Sequence, residues 1–272
     1  MPSANPDMKK ILSQSLILVG SFLAIWLILS HIPFTEYFKV KAMSRSAEEK
    51  LGNVVIDYLA KTDKEVTSDS TLRILNKMKG RICRYNGIDS TSIRLHIFEN
   101  DEVNAFALPA KRLVFYTGII QDANNPEELT AVMAHEIAHM EKMHVSKKLT
   151  KELGLSMLMI LASGDAGMQI VKELVKIISS TSFDREMERE ADRLAVQYLQ
   201  NAHVDPGHFS DFLFRLSNNK PDLPGQFEWI STHPDTKERV AAIIRLGKGH
   251  PVQSFPVVTE EEWRQLKQKP IQ

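Results

Sequence analysis

Residues 135–139 read His135-Glu136-Ile137-Ala138-His139, and the spacing of this stretch decides the fold. On an α-helix, residues four apart lie about 40° apart around the axis, so both imidazoles share one face. Two imidazoles so placed can reach one Zn²⁺, and the glutamate beside them can take a proton from water held there. The flanking residues supply the helix. Asn125 is an N-cap, Pro126 suits the first helical position, and Glu128 stands three residues after the cap. Leu129, Met133, Ile137 and Met140 then form one apolar stripe. His135 and His139 flank that stripe, where the helix would face a cleft.

A catalytic zinc site usually has three protein ligands and one open position. The stretch Asp184-Arg185-Glu186-Met187-Glu188-Arg189-Glu190-Ala191-Asp192 offers the third. Met187, Ala191, Leu194 and Tyr198 mark the buried side of a helix there, with Glu188 and Asp192 on one edge. Pairs Arg185–Glu188 and Arg189–Asp192 would explain the charges without a metal. Against this, Asp184, Glu188 and Asp192 form a like-charged row, which costs stability unless a cation is near. Residue chemistry leaves Glu186, Glu188 and Glu190 all open as the ligand.

Two further stretches are Asn104-Ala105-Phe106-Ala107-Leu108-Pro109 and Thr232-His233-Pro234-Asp235-Thr236-Lys237-Glu238-Arg239. Together with the two motifs above, they resemble the membrane-associated zinc metallopeptidases that include the CAAX prenyl proteases, HtpX and BepA. The resemblance spans residues 104–239, with spacing like that of the compact BepA-like members. It implies one Zn²⁺ per chain, with Glu188 as the third ligand. It implies that Asp192 supports the ligands from behind and that His233 approaches the water or the oxyanion. The activity it implies is endopeptidase cleavage of unfolded or misassembled proteins. Two positions depart from the family pattern, Asp184 where Ser is common and Ala110 where Gly is common, and neither is a ligand.

The expected fold is α+β and zincin-like: a mostly helical catalytic domain with a small β-sheet, plus one N-terminal transmembrane helix. Helices are expected at 46–60, 68–85, 183–201, 207–218, 235–246 and 259–266. Strands are expected at 93–98, 103–108 and 113–116. Strand 103–108 should be an edge strand bordering the cleft, with Asn104 near a bound polypeptide. Residues 153–180 are apolar and glycine-interrupted. They read as a mobile cover over the cleft or a hairpin dipping into a membrane, with core packing as the plain alternative. His144 comes five residues after His139 and is expected at the surface.

The chain has 272 residues, 43% hydrophobic and 25% charged, with a formal net charge of zero. That is enough for one sizeable core. No basic cluster is interleaved with aromatics, which gives nucleic-acid binding no support. Cys83 is the only cysteine, which excludes an intrachain disulfide and a cysteine-built zinc site. It reads as a buried helix residue.

After Lys9-Lys10, residues 11–30 carry no charge. Twenty helical residues span about 30 Å, one hydrocarbon core. Trp26 and Tyr37 suit an interface, and no small-residue cleavage site follows. The reading is an uncleaved single-pass anchor in contact with lipid, with a cleaved signal peptide whose apolar core is Leu16–Leu29 as the alternative. Lys9 and Lys10 favour a cytoplasmic N-terminus, and the resemblance to compact members that work outside the cytoplasm implies a periplasmic protease domain at a bacterial inner membrane. Lys39, Lys41 and Arg45 pull the other way. The domains are then 1–45 (tail, anchor and linker), 46–250 (metallopeptidase) and 251–272 (C-terminal tail). The alternative function is a membrane-anchored chaperone or adaptor with a structural zinc.

Overall fold

In the computed structural model, the described residues are 14, 15, 17, 19–23, 44–163, 167–218, 228–234, 236–248 and 252–268. The chain divides into two compact units, Met1–Ala42 and Met43–Gln272. The expected anchor, residues 11–30, lies largely outside the described residues. Residues 14, 15, 17 and 19–23 are helical and exposed. Among the described residues, no helix is long and apolar enough to cross a membrane.

The second unit is α+β and mostly helical. Its elements are α1 (Arg45–Thr62), β1 (Lys64–Glu65), α2 (Asp69–Tyr85), β2 (Arg94–Glu99), β3 (Ala105–Leu108), β4 (Arg112–Tyr116), α3 (Thr117–Asp122) and α4 (Pro126–Glu141). There follow α5 (His144–Ser163), α6 (Met168–Ser180), α7 (Arg185–Asn201), α8 (Gly207–Asn218), α9 (Glu228–Thr232), α10 (Thr236–Lys248) and α11 (Glu260–Lys267). The helices and strands read from the sequence appear with ends shifted by a residue or two. The short β1, α3 and α9 were not legible, because each is too brief to show a period.

The sheet runs β1-β2-β4-β3. β4 is central, parallel to β2 and antiparallel to β3. All five of its residues are buried, which is why Leu113-Val114-Phe115 reads as a continuous apolar run. β3 is the edge strand, as expected. Its four residues are nevertheless all buried, since α4 and α6 pack against it. Asn104 O accepts the Tyr116 N–H at 3.1 Å, and Ala105 and Ala107 face Phe115 and Leu113. Bonded and non-bonded pairs alternate along an antiparallel ladder. Ala105 and Ala107 therefore turn their N–H and C=O groups away from β4.

The helix bearing the histidines, α4, is not a cleft-wall helix with one wet face. Every residue from Glu128 to Met140 is buried, because α2, α7, α8 and β3 surround it. Ala131, Ala134 and Ala138 let these neighbours approach closely. The apolar stretch 153–180 forms the later part of α5, which breaks at Gly154 (φ 72°), and then α6. A φ of that sign favours glycine. α6 buries Leu174, Ile177 and Ile178 and packs on α1, β3 and α9. Cys83 is buried on α2. Residues 252–268 lie against α2: Arg81 donates to the carbonyls of Ala202, His203 and Pro256. α11 opens with a Thr259/Glu262 capping box whose glutamate also meets Lys77 at 2.6 Å.

Candidate metal centre

The start of α4 is fixed by local chemistry. The Asn125 side chain accepts the Glu128 N–H at 2.8 Å. The Glu128 carboxylate in turn accepts the Asn124 N–H and pairs with Arg215 of α8, each at 2.9 Å. Two and a half turns on, His135 and His139 emerge on one face, their Nε2 atoms 3.0 Å apart. α7 crosses that face. Glu188 Oε1 lies 3.3 Å from His139 Nε2 and Glu188 Oε2 lies 3.6 Å from His135 Nε2. A fourth group joins them from the turn before α10: His233 Nδ1 is 2.8 Å from Glu188 Oε1 and 3.2 Å from His135 Nε2. One donor atom from each of the four lies within 4.8 Å of all the others. All four side chains are at most 2% exposed.

Imidazole nitrogens and a carboxylate oxygen are the donor set zinc takes, and the interior is unsatisfied without a cation. Glu188 Oε2 and His233 Nε2 are buried with no well-aligned hydrogen bond. Burial pulls the His135 imidazole down, but Asp192 and Glu188 outweigh it and raise it to about 9. Burial and the neighbouring His135 hold His139 well below its ordinary value. Burial raises the Glu188 carboxyl, yet His233 and Arg239 hold it well down. Three imidazoles crowd one carboxylate, an arrangement that suits a cation. The residues fit the metal.

Glu136 points the other way, towards the sheet. Its Oε2 accepts the Ala107 N–H at 3.1 Å and its Oε1 accepts the Trp229 indole N–H at 2.9 Å. His233 Nε2 lies 3.4 Å from that same Oε1. Behind this cluster, Asp192 Oδ1 stands 3.2 Å from His135 Nδ1. Arg239 grips Asp192 with Nε and Nη2, each at 2.8 Å. Its Nη1 donates to the His233 carbonyl at 2.8 Å and lies 2.9 Å from Glu188 Oε2.

The structure thus brings His135, Glu136, His139, Glu188, Asp192 and His233 together. It separates the three acids of α7: Glu186 is exposed beside Arg189 at 3.0 Å, and Glu190 pairs with Lys142 at 2.7 Å. Asn104 is buried, but its amide donates to Ser179 O at 3.2 Å. It ties the start of β3 to the end of α6 rather than joining the ligand cluster. The expectation for His144 is overturned. It is 0% exposed, with Nδ1 3.1 Å from His139 Nδ1. Counting five residues along one helix puts it on the wrong face, but α4 ends at Glu141 and Met143 turns at φ 54°. His144 therefore opens a new helix beside the site. Trp229 and Arg239 also went unassigned. Arg239 was visible within the Thr232–Arg239 stretch, whereas a lone Trp229 carries no sequence signal.

Comparison with known proteins agrees with this geometry. The profile of Peptidase family M48 matches residues 73–246. The chain is 26% identical over 215 residues to the Beta-barrel assembly-enhancing protease of Escherichia coli strain K12, covering 73% of this chain and 43% of that protein. It is 28% identical over 176 residues to the Mitochondrial metalloendopeptidase OMA1 of Schizosaccharomyces pombe, covering 64% and 52%. It is 31% identical over 137 residues to the protein of that name from Arabidopsis thaliana, covering 50% and 28%. The chain spans about half or less of the length of these curated relatives. The profile match covers more than half of the chain and takes in both histidine-bearing stretches and the Glu188 helix, so the chain belongs to peptidase family M48.

Proposed function

We propose that this protein is a membrane-anchored zinc-dependent endopeptidase that hydrolyses peptide bonds in unfolded or misassembled polypeptides, as protein quality control requires. The observation that carries the reading is the convergence of His135, His139 and Glu188, with Glu136 held between that cluster and the edge strand. Bound Zn²⁺ would supply the Lewis acid that acidifies water and polarises the scissile carbonyl. Glu136 would take the proton of the attacking water and pass it to the leaving amine. Trp229 and Ala107 fix its carboxylate for that task. His233, 3.4 Å from Glu136, would donate to the developing oxyanion. Asp192 and Arg239 hold His135 and Glu188 in place.

The test uses the full chain in detergent, with metal content and cleavage of unfolded casein measured together. One zinc per chain and cleavage are expected. Alanine at His135, His139 or Glu188 should remove the metal, while alanine at Glu186 or Glu190 should keep it. Stoichiometric zinc without cleavage of any unfolded protein would favour an adaptor with a structural metal instead.

Substrate would bind by adding a strand to β3. Ala105 and Ala107 turn backbone groups away from β4; the Ala107 N–H is taken by Glu136, so an extended chain would pair with the Ala105 groups and the Ala107 carbonyl, whatever its side chains. α6 lies against β3, so it would have to withdraw as the cover inferred from the sequence. Pairing is then open to clients that can become extended. Pro109 cannot donate a backbone hydrogen bond and would end the pairing. Ala105→Pro should raise KM for unfolded substrate about tenfold, the loss of one or two hydrogen bonds. Zinc content and melting temperature should stay near wild type. An unchanged KM in the folded variant would rule out strand addition at β3.

The anchor would be residues 11–30, in contact with membrane lipid. Ile17, Val19, Phe22 and Leu23 are helical and exposed, as lipid-facing side chains would be. With Lys9-Lys10 left in the cytoplasm, residues 46–250 would work in the periplasm at a bacterial inner membrane.

A further inference from the structure

His139 offers Nε2 to the cluster: that atom is 3.0 Å from His135 Nε2 and 3.3 Å from Glu188 Oε1. A histidine that binds a metal through Nε2 carries its proton on Nδ1, and that N–H needs an acceptor. For His135 the nearest acceptor is Asp192, whose Oδ1 lies 3.2 Å from Nδ1, though without well-aligned hydrogen-bond geometry. No carboxylate stands so close to His139 Nδ1 among the described contacts. What stands there is His144 Nδ1, at 3.1 Å. An imidazole can accept at Nδ1 only if its own proton is on Nε2. His144 Nε2 is 3.2 Å from Glu190 Oε2, and a carboxylate accepts that proton. Lys142 Nζ, 2.7 Å from Glu190 Oε1, holds the carboxylate from the solvent side.

We infer that His144 and Glu190 are positioning residues for the ligand His139, forming a relay that sets its tautomer and ring orientation. The inference rests on the metallopeptidase reading above. Every donor in the row has one acceptor. Lys142 and the His144 Nε2–H donate to Glu190, and the His139 Nδ1–H donates to His144. Reversing the His144 tautomer would set two N–H groups against each other and leave Glu190 facing a lone pair. The two ligand histidines are therefore steadied differently. His135 meets a buried acid directly, while His139 reaches a partly exposed acid through a second imidazole. Glu190 lies on α7 two residues from Glu188, so the same helix that brings the third ligand also orients the second.

The test compares His144→Leu, which removes the acceptor at similar bulk, with His144→Asn, whose side-chain oxygen can take the place of Nδ1. The readouts are the rate of metal loss to a chelator, the visible spectrum of the Co²⁺-loaded protein, and the melting temperature of the metal-free form. The Leu variant should lose metal about 10–100-fold faster, the usual effect of removing such an outer partner, and its Co²⁺ bands should shift. The Asn variant should recover most of the wild-type rate and spectrum. Equal defects in both variants would mean that His144 only fills space, and wild-type behaviour of the Leu variant would dismiss the relay outright. Glu190→Ala reads the relay from its partly exposed end and covers the case in which the Leu variant fails to fold. It should speed metal loss in the same direction by less, and an unchanged rate would overturn the inference. If the wild-type chain takes up no metal, the metallopeptidase reading fails and the relay falls with it. If the wild type binds metal, the variants judge the relay alone.

Discussion

Glu136→Gln should leave zinc in place and slow peptide hydrolysis by about 10²–10⁴-fold, the usual contribution of a positioned general base. The glutamate is not among the four groups that converge on one point. It faces the Trp229 indole and the Ala107 amide, so its loss removes proton transfer and spares the ligands. The substitution is not silent structurally. Both partners are donors, and a glutamine amide can present an oxygen to only one of them. The other N–H then meets an NH₂ group, which costs about 1–3 kcal/mol for a buried donor left unpaired. A lower melting temperature with full zinc content is therefore part of the expected result. Initial rates on unfolded casein, with zinc measured on the same sample, check it. Cleavage at the wild-type rate would remove Glu136 from the chemistry.

The second large effect is on stability. Arg239→Leu should destabilise the metal-free protein by about 3–5 kcal/mol, the cost of stranding buried charges. Arg239 is 4% exposed and serves Asp192, Glu188 and the His233 carbonyl at once. Burial would raise the Asp192 carboxyl, but the guanidinium charge overrides it and holds the group down to about 2, against an ordinary 3.8. A folded value below the unfolded one means that the pair stabilises the protein above about pH 4 and loses that contribution as pH falls towards 2. The difference between wild type and Arg239→Leu in urea unfolding should therefore be full at pH 7 and shrink in acid. Zinc should narrow it, since the metal also neutralises Glu188. A gap that stays the same from pH 7 to pH 3 would mean that Arg239 acts by packing alone.

Much of the scaffold was legible because its signals are local. Asn125, Pro126 and Glu128 announce the start of α4 within four residues, and Thr259 with Glu262 does the same for α11. The paired histidines are likewise a property of one helix. What was not legible depends on which elements meet. The acids Glu186, Glu188 and Glu190 have the same chemistry and differ only in which side of α7 faces α4. Asn104 was read from its motif as a substrate contact, and its tie to Ser179 of α6 had no signal in the sequence. The alternation in 103–108 suggested one covered face, but α4 and α6 bury both. His144 was misplaced because a non-glycine residue, Met143, carries the positive φ that ends the helix. No residue preference marks that turn.

The clamp on α2 bears on how this protein is made. α2 is an early element of the chain, yet the residues that close over it, 252–268, follow His135, His139, Glu188 and His233 in the sequence. His233 and Arg239 also follow long after His135. A chain still in synthesis therefore has the paired histidines without the groups that hold them. Domains fold as units once their parts are present, so peptidase activity would appear only when nearly all of the chain is available. If the domain crosses the membrane as it is made, that delay would mean that the site is completed only on the far side, after residues 252–268 have crossed.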